Sequence, residues 1–117
     1  MEITLTIDGK EIPFKSNGAV AKRYMMQFQR DMLKDILSLG VTEKKFDDMT
    51  ESEKVVWMRD NIDFNMFYDI AWVFAKTANK TIPDPLSWLE TFDEFPILEI
   101  IEPLQGLLEK TIGSKKK

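Results

Sequence analysis

The chain has 117 residues, 44% of them hydrophobic, which suffices for one domain with one core and is too apolar for a disordered chain. Its net charge is −4, and with Lys115, Lys116 and Lys117 at the end, residues 1–114 carry −7, 13 basic against 20 acidic, a balance that argues against nucleic acid as a partner because phosphates must be neutralised by cations. The absence of His and Cys excludes imidazole and thiolate metal sites, Cys nucleophiles and every His-based triad.

The first fifteen residues predict a β-hairpin. Asp8-Gly9 is a two-residue turn signal of the kind that needs positive φ. Such a turn pairs Ile7 with Lys10, Leu5 with Ile12 and Ile3 with Phe14, a face on which only Lys10 is polar. Glu2, Thr4, Thr6, Glu11, Pro13 and Lys15 share the other face, as in a hairpin laid on helices. Pro13 falls opposite Thr4 in a non-hydrogen-bonded pair, so it blunts the outer edge of the second strand. Nothing blunts the edge of strand 2–7, and Thr4 and Thr6 leave it open to a strand from another chain. The plainer alternative is that a loop or helix buries this edge.

Ser16 or Asn17 is expected to cap a helix over about 17–39, with Gly40 as its stop. Ala21, Tyr24, Met25, Phe28, Met32, Ile36 and Leu39 step by three or four and predict a core stripe. Met26, Leu33 and Leu37 form a second stripe, separated from the first by Lys22 and Gln29. A helix with two apolar stripes lies between two layers or offers one stripe to a partner. Residues 41–49 predict a polar loop, which with the hairpin is the plain candidate to cover that second stripe.

Thr50 and Glu53 form a T-x-x-E capping box, opening a short helix over about 51–60. The next helix, about 63–79, is apolar around most of its circumference, its polar strip being Asn65, Asp69 and Lys76. Such a helix is central to its fold or to an assembly. Trp57, Phe64, Phe67, Trp72 and Phe74 are expected to be mostly core. Trp72 borders the polar strip and is the expected exception. Asp84-Pro85 predicts an N-cap followed by Pro at the first helical position, for a helix of about 85–92. Asp93 and Pro96 predict a similar start to the final helix, about 96–112, whose stripe is Ile97, Ile100, Ile101, Leu104, Leu107, Leu108 and Ile112. Pro103 falls opposite that stripe and is expected to bend the helix without breaking it. Residues 114–117 predict a flexible basic tail after a single domain of 1–113.

The predicted fold class is α+β, mainly α: an N-terminal β-hairpin packed on a bundle of about five helices. No apolar run is long enough to span a bilayer. Met1-Glu2-Ile3-Thr4 lacks the basic start and apolar run of a signal peptide, so a soluble cytoplasmic protein is expected. The acidic pairs Asp47/Asp48 and Asp93/Glu94 match no Ca²⁺-loop pattern, and Asp93 is better explained as a helix cap. No catalytic residue, cofactor-binding residue or metal ligand is predicted, and no cofactor is expected. Met26, Leu33, Leu37, Trp72, Thr4 and Thr6 are the candidate protein-binding residues.

The order of elements adds a resemblance. An Ile-Thr-x-x-Ile-Asp-Gly-Lys hairpin leads into an amphipathic helix, followed by DFNMFYDIAWVFAKTANK over 63–80. Ile82-Pro83-Asp84-Pro85, Trp88-Leu89, Phe95-Pro96-Ile97 and Ile100-Ile101-Glu102-Pro103 complete the pattern. Over nearly its whole length the chain resembles the tail assembly chaperones of long-tailed phages and prophages of Gram-positive bacteria. The shared motifs are packing and capping patterns, not catalytic signatures.

The resemblance implies a protein that coats the long, helical, aggregation-prone tape-measure protein while tail-tube subunits polymerise around it. The coat then leaves and is absent from the virion, so the expected place of action is the host cytoplasm. Modest contacts repeated many times give strength that the tube subunits can still undo. Ribosomal slippage in many members appends a second domain that recruits the tail tube protein. Lys115-Lys116-Lys117 is compatible with an adenine-rich slippery stretch, and equally with a basic tail after a helix C-terminus. A homo-oligomer is a further expectation, and a membrane is not expected as a partner. Two rival readings are another small bacterial adaptor or antitoxin-like partner, and an enzyme using only carboxylates and Lys. Genes for a tube subunit and a very long helical protein on either side would favour the chaperone over the adaptor. A polar pocket with convergent Asp or Glu would favour the enzyme.

Overall fold

The computed structural model describes residues 1–37, 48–61 and 64–112. Two strands, β1 (Glu2–Ile7) and β2 (Lys10–Lys15), form one antiparallel sheet. Six helices follow among the described residues: α1 (Val20–Phe28), α2 (Met32–Leu37), α3 (Glu51–Asn61), α4 (Phe64–Ala78), α5 (Pro85–Leu89) and α6 (Ile97–Ile112). The class is α+β, mainly α, as the pattern predicts.

The hairpin has the predicted register, with Ile3 opposite Phe14, Leu5 opposite Ile12 and Ile7 opposite Lys10. Asp8 and Gly9 both take positive φ, 55° and 76°, the type I′ geometry whose twist suits a hairpin. Ile7 and Phe14 are buried, while Thr4 and Thr6 on the opposite face are exposed. Both ends of the hairpin are tied down. At the turn, the Asp93 N–H donates to Asp8 Oδ2 at 2.8 Å, and Lys10 Nζ donates to the Thr91 carbonyl. At the open end, Ser16 and Thr111 hydroxyls share a hydrogen bond of 3.0 Å. The Met1 side chain lies over Gly106, where an added Cβ would stand 3.4 Å from it.

The predicted 17–39 helix is two helices. α1 ends at Gln29, which takes φ 61° and sends its N–H back to Met25 O. Asp31 Oδ1 then accepts from the Lys34 N–H at 3.2 Å, a side-chain start signal for α2. The break carries Arg30 to Asp69 on α4 and leaves Met32 fully buried. α1 also starts later than predicted. Ser16 is buried, and Asn17 Oδ1 accepts from the Ala19 N–H in a local turn, so the cap position falls to Ala19 with no side-chain bond. Leu39, Gly40 and most of the 41–49 loop lie outside the described residues, as do 113–117 and Asp47.

The break makes an opposite-sign prediction. A Gly inside a continuous helix costs about 1 kcal/mol, whereas Gly at a left-handed cap removes the strain of a side chain at positive φ. Gln29→Gly is therefore expected to leave stability unchanged or raise it by up to about 1 kcal/mol in urea unfolding. A loss of about 1 kcal/mol is the result of an unbroken helix.

The capping box is present in both directions: the Thr50 N–H donates to Glu53 Oε1 (2.9 Å) and the Glu53 N–H to Thr50 Oγ1 (3.1 Å). Asp84 caps α5 through the Ser87 N–H at 3.1 Å, with Pro85 at the first helical position. That hydrogen bond from the Ser87 backbone holds the Asp84 carboxyl below its ordinary value. α5 ends at Leu89, short of the predicted Phe92, which is buried beyond it. α6 starts differently from expectation. Pro96, not Asp93, precedes its first residue, and the Pro96 carbonyl accepts from Glu99 and Ile100. Pro103 is exposed and α6 runs through it unbroken.

α4 is the centre of the fold. Met66, Phe67, Ile70, Ala71, Trp72, Val73, Phe74 and Ala75 are all buried on it, as an all-round apolar helix must be. β2, α1, α5 and α6 all pack on it. Its buried side chains join those of the hairpin, α1, α2 and α6 in one cluster. Trp88 stacks edge-on with Phe92 and Phe95 at 5.2 and 5.5 Å, closing the end of that cluster.

Candidate functional site

Each α1 residue is turned about 100° from the last. Val20, Tyr24 and Phe28 therefore fall on one side and face the core, with Val20 and Tyr24 fully buried. Met25 lies at the margin of that side and is 41% exposed, against its predicted place in the core stripe. Lys22, Arg23, Met26 and Gln27 occupy the remaining arc. Beside them comes the C-terminal half of α4, where Trp72 and Lys76 are one turn apart on the same face.

Ala19, Lys22, Arg23, Met26, Gln27, Trp72 and Lys76 line a groove of about 410 Å³. Three of the seven are cations, and none of these described lining residues carries a carboxylate. Met26 is 69% exposed, while Trp72 is only 4% exposed.

Trp72 was expected to be surface because it borders a polar strip. It is buried because the segment after α4 folds back over it. The indole N–H donates to the Pro83 carbonyl at 2.9 Å, which meets the polar need of a buried tryptophan. Lys76 Nζ donates to the carbonyls of Lys80 and Ile82 at 2.9 and 2.7 Å and sits 5.9 Å from the centre of the Trp72 ring. Phe28 meets the same indole edge-on at 5.9 Å. Trp72 thus serves as a fixed wall of the groove and not as a projecting side chain.

Arg23 is the unsettled group in the groove. Its Nε is shielded from solvent and has no hydrogen-bond partner. Leaving a buried donor unmatched costs about 1–3 kcal/mol, more for a charged group.

A second polar cluster lies where α1, α2 and α4 meet. Arg30 donates to the Tyr24 hydroxyl (2.6 Å), Asp69 (2.8 Å) and Asp35 (3.0 Å), and the Tyr24 hydroxyl donates to Asp35 at 2.9 Å. Burial pushes the Tyr24 hydroxyl far above the ordinary phenol range, against the opposing pull of its Arg30 bond. The Tyr24 bond, then those to Asp69 and Asp35, raise Arg30 further against desolvation. Near neutrality the Tyr24 hydroxyl and the Arg30 guanidinium therefore both keep their protons. The cluster joins three helices.

Of the candidate binding residues, the fold brings Met26 and Trp72 together at the groove. Leu33, on α2, is 41% exposed and does not line it. The Leu37 side chain lies outside the described residues. The helix break therefore divides the second stripe, and its expected cover by the 41–49 loop falls outside the described residues. Thr4 and Thr6 are exposed on β1, which pairs with no third strand among the described residues. Val55, Val56, Leu86 and Leu98 are also exposed apolar side chains, between 46% and 67%. Lys22, Arg23 and Lys76 escape sequence reasoning as site residues. The usable signal was that Lys22 and Arg23 precede Met26 by one helical turn.

Among the described residues no group of three or more carboxylates is placed to hold a metal ion, and no helix is long and apolar enough to cross a membrane. Set beside known protein families, curated proteins and solved structures, the chain shows no significant match to any of them.

Proposed function

We propose that this chain is an assembly chaperone of long phage tails, which binds the tape-measure protein and keeps it soluble while the tail tube polymerises. The observation that carries the reading is Met26, 69% exposed against the fixed wall of Trp72. Exposed Leu33 adds a further apolar contact nearby in sequence. Large apolar side chains left outside a core that has room for Trp72 and Trp88 mark a contact surface. Methionine suits a surface that must fit many successive segments of a long partner. The resemblance of 63–80 and of the Pro-containing segments after it to tail chaperones points to the tape-measure protein as that partner. On this reading the protein acts in the host cytoplasm without a cofactor and is not an enzyme. A slippage product recruits the tail tube protein, copies of the chain associate along the partner, and neither nucleic acid nor membrane takes part.

Co-expression with the neighbouring tape-measure gene tests the reading. The native chain is expected to raise the soluble yield of the tape-measure protein. Met26→Lys is expected to lose most of that gain while its own melting temperature stays unchanged, since a substitution so exposed shifts stability by no more than about 0.5 kcal/mol. Equal soluble yield with and without the native chain contradicts the proposal.

A further inference from the structure

We propose that the groove between α1 and α4 takes an acidic amphipathic helix of the partner protein, whose carboxylates bind Arg23 and Lys22 and whose apolar side chains pack on Met26 and Trp72. This deepens the chaperone reading and rests on it for the identity of the partner.

Two independent observations carry the chemistry. The first is charge. On a chain of net charge −4, the groove gathers Lys22, Arg23 and Lys76 with no carboxylate among its described lining residues. Such a local reversal of sign draws and orients acidic groups. The second is the apolar surface beside that charge: Met26 stands 69% exposed next to the buried Trp72 wall. Side-chain ammonium and guanidinium groups next to such a surface match an incoming Glu or Asp whose neighbours are apolar. Lys76 already gives two of its protons to the carbonyls of Lys80 and Ile82, so it contributes field and leaves the direct contacts to Arg23 and Lys22.

The shape narrows the occupant to a helix. The groove runs between two helices, and its apolar contacts are Met26 and the Trp72 wall. A helix laid there presents apolar anchors three or four residues apart with acidic side chains beside them. A strand would instead need an open row of backbone donors and acceptors, which a groove between helices lacks.

The test uses the whole chain, labelled with ¹⁵N, and a synthetic helical peptide of about five turns, roughly 18 residues, with a Leu stripe flanked by Glu. A twin peptide carries Gln at every Glu. The three Trp residues give three indole N–H signals, of which only Trp72 lines the groove. The Glu peptide is expected to shift the Trp72 signal saturably and leave Trp88 in place. The Gln twin is expected to bind about tenfold more weakly, the usual weight of one charge-assisted bond. Arg23→Gln and the exposed Lys22→Gln are each expected to weaken the Glu peptide several-fold with the Trp88 signal unchanged, which shows that the fold is intact. Equal binding of the two peptides, no shift at Trp72, or a dimer of the native chain that Arg23→Gln dissociates would overturn the proposal. Co-expression separates the two readings. If the native chain and Arg23→Gln solubilise the tape-measure protein equally, the groove assignment falls and the chaperone function stands. If neither solubilises it while the Glu peptide still binds at Trp72, the chaperone function falls and the groove stands.

Discussion

Phe74→Ala is expected to lower stability by about 3–5 kcal/mol, the largest effect of any single substitution considered for this chain. Phe74 is completely buried on α4, the helix whose residues face core on nearly every side. Its removal leaves a cavity in the core cluster that α4 shares with the hairpin and α6, elements that are each tied elsewhere. The hairpin is held at both ends, and α6 is joined to it through Thr111. The surroundings therefore have little freedom to collapse into the gap, which places the cost at the upper part of the range for such truncations. For a domain of this size the melting temperature should fall by roughly 12–20 °C. A fall of under about 5 °C in a cooperative thermal transition would mean that α4 is not the centre of the core.

Arg30→Ala is expected to cost about 1–2 kcal/mol. The residue makes three charge-assisted contacts of 2.6, 2.8 and 3.0 Å that link α1, α2 and α4. Its side chain is 41% exposed, so each contact is screened and worth less than in a dry site. The carboxylates it serves are more sheltered, at 24% for Asp35 and 21% for Asp69. Alanine thus leaves two half-buried acids facing each other's helix without their shared cation, and it removes the ring contacts to Tyr24 and Phe28 at 5.4 and 5.9 Å. Arg30→Lys should recover less than half of the loss, because a point charge cannot serve three acceptors in the plane of a guanidinium. Urea unfolding of the three proteins measures this. Equal stability of native and Ala forms would assign the cluster to the surface and free the helix break of any tertiary cause.

The parts legible in the sequence are those fixed by local chemistry. The Asp8-Gly9 turn allows one register, and alternation along 2–15 then decides which face is inside. The Thr50/Glu53 box and the Asp84-Pro85 start work through neighbours three residues away, so they are visible without the fold. The apolar circumference of 63–79 places α4 at the centre for the same reason.

The helix break is different. Gln29-Arg30-Asp31 contains neither Gly nor Pro, and the apolar spacing continues through it from Phe28 to Met32. What favours the break is the contact of Arg30 with Asp69, 39 residues away, and no local pattern announces such a pair. Trp72 fails for a similar reason. Its place beside a polar strip suggests exposure, but the segment after α4 returns to it and the Pro83 carbonyl accepts its indole N–H. The groove was half visible. Lys22, Arg23 and Met26 share a side of α1 by spacing alone, whereas their meeting with Trp72 and Lys76 is a product of packing.

The central claim is that side chains left outside this core are there to hold a long partner in solution. Sedimentation of a purified tape-measure segment at increasing ratios of this chain measures that directly. The soluble fraction should rise and level off at several copies per segment, the number growing with segment length, as repeated modest contacts require. A soluble fraction that does not respond to the chain at any ratio would contradict the account.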